Sequence, residues 1–138
     1  MQQELFDKAQ TEVRDLHRFF VSWYNKGSAN TASFDRFEKA MAPGFQIIPP
    51  HGGILDRPTI INAVRANRAK HNDDFAIEIE DVRRLWSATD EIMICYVEAQ
   101  FSAGRWNRRR ASALLTRESL APGGLAWLCL QETRMEAA

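Results

Sequence analysis

A chain of 138 residues is the size of one domain, expected to span 1–138, and it is long enough to bury roughly two thirds of its unfolded surface without staples. Its 18 basic and 18 acidic side chains cancel, so no net field recruits nucleic acid or an anionic membrane, and a general nucleic-acid binder is excluded. No stretch reaches the roughly 18 apolar residues of a membrane span, and residues 1–7 lack the basic and apolar runs of an export signal, so a cytoplasmic protein with no membrane partner is expected.

From Glu4 to about Lys26, the residues Leu5, Ala9, Val13, Leu16, Phe20 and Trp23 recur three or four apart among charged neighbours, the stripe of an amphipathic helix. Gly27 ends it, and a short second helix is expected to carry Phe34, Phe37 and Met41 until Pro43-Gly44 stops it. Phe45–Ile48 reads as a short strand, broken by the Pro49–Gly53 loop, a plausible rim of a pocket. Asp56-Arg57-Pro58 is a helix start: Asp56 accepts an exposed amide and Pro58 fills a first-turn position that needs no donor. That helix is expected to run to about Lys70.

Phe75, Ile77 and Ile79 alternate with polar residues in a strand that continues toward Trp86, and Asp81 interrupts the apolar face, the mark of a bulge. Residues 91–117 read as a long hairpin around Gly104. In its first strand Met93, Cys95, Val97, Ala99 and Phe101 share one face, and Tyr96, Glu98, Gln100 and Ser102 the other. The unbroken apolar row is expected against the helices, which turns the polar row outward as a subunit interface. The opposite orientation would bring Glu98 and an arginine, Arg109 or Arg110, into a cavity as a charge-paired site. Leu125–Thr133, apolar on both faces as far as Gln131, is a final strand inside the sheet. Helices first and antiparallel strands last define an α+β protein whose curved sheet wraps the long N-terminal helix.

Chemistry-bearing residues are few. His51, in the Pro- and Gly-rich loop, and Glu98 are the candidate proton carriers. Trp23, Met41, Phe45, His51, Tyr96, Arg110 and Trp127 are the candidate ligand contacts. His17 is read as a surface residue and His71 as lying past a helix end, so the three histidines form no metal constellation. Cys95 and Cys129 lack Cys-x-x-Cys spacing and read as small buried hydrophobes, and no cofactor is expected.

The helix ending Phe19-Phe20-Val21-Ser22-Trp23-Tyr24, the segment Phe37–Phe45, the Asp56-Arg57 helix start and the close Ala126–Thr133 together resemble the nuclear transport factor 2-like superfamily, in particular its SnoaL-like and ketosteroid-isomerase-like small proteins. Gln131 and Thr133 stand where many relatives carry histidines. The resemblance implies a cone-shaped, cystatin-like barrel open at one end, an apolar pocket between sheet and helices, and a homodimer through the outer sheet face. It also implies a range of functions. The expectation is a dimeric domain that binds a small, largely apolar molecule, with catalysis unassigned. The alternatives are an isomerase, cyclase or dehydratase working by proton transfer, and a non-catalytic assembly domain.

Overall fold

The computed structural model describes residues 2–136. The helix α1 (Gln2–Tyr24) is followed by a 3₁₀ turn at Ala29–Thr31, the one-turn α2 (Asp35–Glu38), β1 (Met41–Ile48), the two-residue β2 (Leu55–Asp56) and α3 (Arg57–Ala66). The long strands β3 (Ala76–Ser87), β4 (Glu91–Ser102), β5 (Arg105–Arg117) and β6 (Leu125–Arg134) complete the chain. One curved, unclosed sheet results, in the order β2-β1-β6-β5-β4-β3. Its concave face holds α1. Among the described residues no helix is long and apolar enough to cross a membrane.

Several local signals act as the sequence predicts. Asp56 Oδ1 accepts the Thr59 amide at 3.0 Å and caps α3. The β4–β5 hairpin turns through Ala103 and Gly104, both at positive φ (53° and 78°), the backbone of a two-residue loop whose twist suits its strands. Asp81 sits at φ 53° where the β3–β4 register shifts, so the bulge is real. The last strand lies inside the sheet, between β1 and β5.

Other elements differ. Met41 does not belong to α2, which ends at Glu38. It opens β1, which runs through Pro43-Gly44 to Ile48. Proline is accepted there because β1 pairs with β6 at Met41 and again only from Gln46, leaving the stretch between them out of register. That pairing is parallel, which makes the sheet mixed. The third helix stops at Ala66; beyond it Ala69, at φ 59°, returns its amide to the Trp23 carbonyl. Cys129 is exposed, not buried.

The largest correction concerns β4. Ile92, Ile94, Tyr96, Glu98 and Gln100 face α1, and Met93, Cys95, Val97, Ala99 and Phe101 face away from it. Val97 is nevertheless only 4% exposed. Its register partners are Glu80 and Arg110, and those of Cys95 are Arg83 and Ser112, so long side chains on both neighbouring strands cover the outward row with their stems.

Helix α1 is held by more than its apolar stripe. The Glu12 side chain has no exposure, receives both terminal nitrogens of Arg36 at 2.8 and 3.2 Å and accepts the Trp127 indole N–H at 2.9 Å. Gly123 permits this approach, since a Cβ there would lie 2.3 Å from Glu12 Oε1. Glu12→Ala strands a guanidinium and an indole donor and should lower the unfolding free energy by about 3 to 5 kcal/mol. Chemical denaturation measures this; a loss below about 1 kcal/mol would mean that water replaces the carboxylate without penalty.

Candidate functional site

A cavity of about 150 Å³ lies between α1 and the sheet. Leu16, His17, Phe20 and Tyr24 of α1 form one wall, because residues three and four apart share a helix face. Met41, Phe45 and Ile47 of β1, with Ile60 and Val64 of α3, form a second. Trp127, Leu130 and Glu132 of β6 and Tyr96, Glu98 and Gln100 of β4 supply the sheet side. The surroundings are apolar except at one pole.

That pole is built by register. Glu98 pairs across the sheet with Arg109, and Tyr96 with Ala111, whose other partner is Glu132, so the inward-facing residues of three strands converge on the middle of α1. His17 meets them there. Its Nδ1 lies 2.7 Å from the Val13 carbonyl and its Nε2 lies 3.0 Å from Glu98 Oε1. Both partners are acceptors, so both ring nitrogens donate and the ring is an imidazolium. Gln100 donates its amide to Glu98 Oε2. Beside this pair, Arg109 Nη1 donates to Glu132 Oε1 at 3.2 Å.

Burial opposes every charge in the group, and the partners decide the outcome. For His17 burial acts to lower the pKa, but the Glu98 charge and hydrogen bond and the Val13 carbonyl outweigh it and raise the pKa above the ordinary 6.5. For Glu98 burial acts to raise the pKa, but the His17 charge, the His17 and Gln100 hydrogen bonds and Arg109 bring it down to about 2. Burial and the Glu98 charge push Glu132 up, against Arg109. Burial followed by the Glu98 charge lifts Tyr24 to about 12 and Tyr96 well above 10. The Tyr96 hydroxyl is buried and has no hydrogen-bond partner among the described residues.

Of the sequence candidates, Glu98, Met41, Phe45, Tyr96 and Trp127 line this cavity. Trp23 does not: its indole donates to the Val64 carbonyl at 2.8 Å and stacks on Phe19 within the core. Arg110 is on the opposite sheet face, paired with Asp81 at 3.1 Å. Neither arginine bonds Glu98 directly, since Arg109 turns to Glu132 and His17 takes the place expected of an arginine. His51 is exposed, its ring accepting the Gly53 amide of its own loop, and none of residues 49–53 lines the cavity. His17 and Glu132 are the residues that sequence reading missed. For His17 a signal exists: it stands four residues after Val13 and three before Phe20, at the edge of the apolar stripe.

The fold is that of the nuclear transport factor 2-like proteins. An NTF-2-like protein of unknown function from Pseudomonas aeruginosa is 26% identical with a TM-score of 0.83, over 94% of this chain and 99% of that one. A Caulobacter vibrioides protein with a cystatin-like fold gives 16% and 0.67, covering 94% and 89% of the two chains. The CaMKII hub from S. rosetta gives 12% and 0.71, covering 94% and 95%. No protein-family model and no curated protein sequence matches the chain.

The ion pair has a defined pH window. The raised histidine stabilises the fold fully below 6.5 and loses that contribution as pH rises through its folded pKa; the depressed carboxylate contributes fully above 4.5 and loses it as pH falls toward about 2. The stability difference between the natural chain and Glu98→Gln should therefore peak between pH 4.5 and 6.5, at about 3 kcal/mol, and shrink on either side. In the variant the pKa of the His17 ring, titrated by NMR, should fall, because burial is then opposed only by the Val13 carbonyl and the Glu132 charge. A difference that does not change with pH would mean that the ring is neutral.

Proposed function

We propose that this protein binds a small, largely apolar molecule in the cavity between α1 and the sheet and associates with a second copy through the outer sheet face. The observation that carries the binding reading is the unfilled apolar cavity ending on a buried group of paired charges and an unsatisfied hydroxyl. Cores are normally packed to near crystal density, and apolar space beside a few oriented polar groups is the usual form of a ligand site.

Binding is favoured over proton-transfer catalysis by the state of Glu98. A carboxylate with a pKa of about 2 is a poor base near neutral pH, and its two oxygens are engaged by His17 and Gln100. His51 is outside the cavity, so neither candidate proton carrier serves a bound molecule.

The association reading rests on the outer face. Trp86 is 52% exposed beside its register partner Met93, and Trp106 is 44% exposed in ring contact with Phe101, so large apolar groups stand at both ends of the face. Between them lie the paired charges Asp81, Arg83 and Arg110, with Glu80 and Arg108. An aromatic and arginine-rich patch of this kind is typical of interface cores. One similar structure is itself a hub.

Two measurements test these readings separately. Ligand-observed NMR should detect binding of toluene to the natural chain, and Ile60→Trp, which adds bulk at a partly buried lining position, should weaken it at least roughly tenfold while the chain stays folded. Failure of toluene and other small ring compounds to bind would remove the ligand reading. Light scattering should give twice the chain mass of 15.8 kDa, and Trp86→Glu should return it to the monomer value. A natural chain that stays monomeric throughout a micromolar dilution series would remove the interface.

A further inference from the structure

The cavity's polar pole restricts what kind of molecule it accepts, an inference that rests on the binding reading above. Three observations bear on it. The first is size: about 150 Å³ equals the volume of an engineered apolar cavity that takes up benzene, so the space suits a single ring.

The second is charge. Two carboxylates, Glu98 and Glu132, face two cations, His17 and Arg109, in two direct pairs at 3.0 and 3.2 Å. The charges cancel. A carboxylate or ammonium ligand would enter with no counter-charge left to meet it, and would lose its hydration for nothing in return. An uncharged ligand leaves the balance intact.

The third is hydrogen bonding. Tyr96 lines the cavity, and its hydroxyl is buried without a partner among the described residues. Glu132 also lines it and uses only Oε1, on Arg109, so Oε2 makes no hydrogen bond among the described residues. Tyr96 and Glu132 share one register neighbour, Ala111, whose methyl group is the only side chain between them on the inner face. They are close enough for the Glu132 charge to act on the tyrosine, yet they do not bond each other. The gap calls for a group that accepts from one and donates to the other. A hydroxyl does both, whereas a ketone only accepts.

We propose that the cavity selects an uncharged, single-ring molecule bearing a hydroxyl group, which accepts the Tyr96 O–H and donates to the free carboxylate oxygen of Glu132. The apolar walls hold the ring, and the His17–Glu98 pair fixes the edge against which the hydroxyl sits. Shape gives affinity here, and the hydroxyl gives orientation.

The test is calorimetric titration of the natural chain and Tyr96→Phe with cyclohexanol, cyclohexanone, toluene, cyclohexanecarboxylate and cyclohexylammonium. Cyclohexanol should bind roughly tenfold tighter than cyclohexanone, as one further hydrogen bond to a charged group supplies. The two ions should not bind measurably. Tyr96→Phe should lose about tenfold toward cyclohexanol and keep its affinity for toluene, which also shows that the variant is folded and its cavity intact. Equal binding of alcohol and ketone, or binding of either ion as tight as the alcohol, overturns the hydroxyl assignment while toluene binding preserves the cavity reading. If toluene fails as well, the binding reading falls and this inference with it.

Discussion

The structure depends on two ionised side chains that α1 buries against the sheet. Glu12 meets Arg36 and the Trp127 indole, and His17 meets Glu98. An apolar stripe alone would let a helix slide or roll over a concave sheet, because hydrophobic contact is not directional. A buried charge removed from its partner costs several kcal/mol, so two such contacts, at different heights on one helix, fix both its position along the sheet and its rotation. The helix face that remains, Leu16, Phe20 and Tyr24, then becomes the cavity wall. The far end is held by Asn25, whose amide bonds both the carbonyl and the N–H of Phe75.

The same arrangement explains why the polar pole persists in an apolar interior. Each ion there is desolvated, and none would survive singly. His17 needs both Glu98 and the Val13 carbonyl to stay protonated, and Glu98 needs His17 and Gln100 to stay ionised. For Glu132 burial, followed by the repulsion of Glu98, outweighs the Arg109 charge, its single hydrogen bond from Arg109 and the His17 charge, so its pKa moves the other way. The pole is thus a tightly satisfied pair beside a partly satisfied one, with the Tyr96 hydroxyl and Arg109 Nε left without partners among the described residues.

Sequence reading reached the elements governed by local rules: the amphipathic α1, the Asp56 cap, the Ala103-Gly104 turn and the Asp81 bulge each follow from residues within a few positions of one another. It failed where the deciding partner is remote. Nothing local in Met41–Ile48 reveals that β6 lies alongside in parallel and tolerates Pro43 at a shift of register. Alternation tells which residues of β4 share a face but not which face is inside, and apolarity alone points the wrong way. Both faces hold buried residues, one covered by α1 and the other by arginine and glutamate stems from β3 and β5. His17 reads as a surface residue for a related reason: a polar side chain on the border of a stripe is usually exposed, and only a partner 81 residues away makes it otherwise. His51 drew notice by residue type and loop setting, yet its ring is engaged by its own turn.

Alternation also decides whether the proposed ligand binding and self-association would compete. Along β4, Tyr96, Glu98 and Gln100 serve the cavity while Cys95, Val97 and Ala99, between and beside them, serve the outer face. On β5, Arg109 supports the pole and its neighbours Arg108 and Arg110 carry the outer charges. No side chain is asked to do both, so a surface that covers the outer face leaves the cavity walls in place. The backbone, however, is common to both faces. Any contact that stiffened β4 and β5 from outside would also hold Tyr96, Glu98 and Arg109 in register from within, so the proposed assembly and the proposed binding would be compatible and mechanically linked.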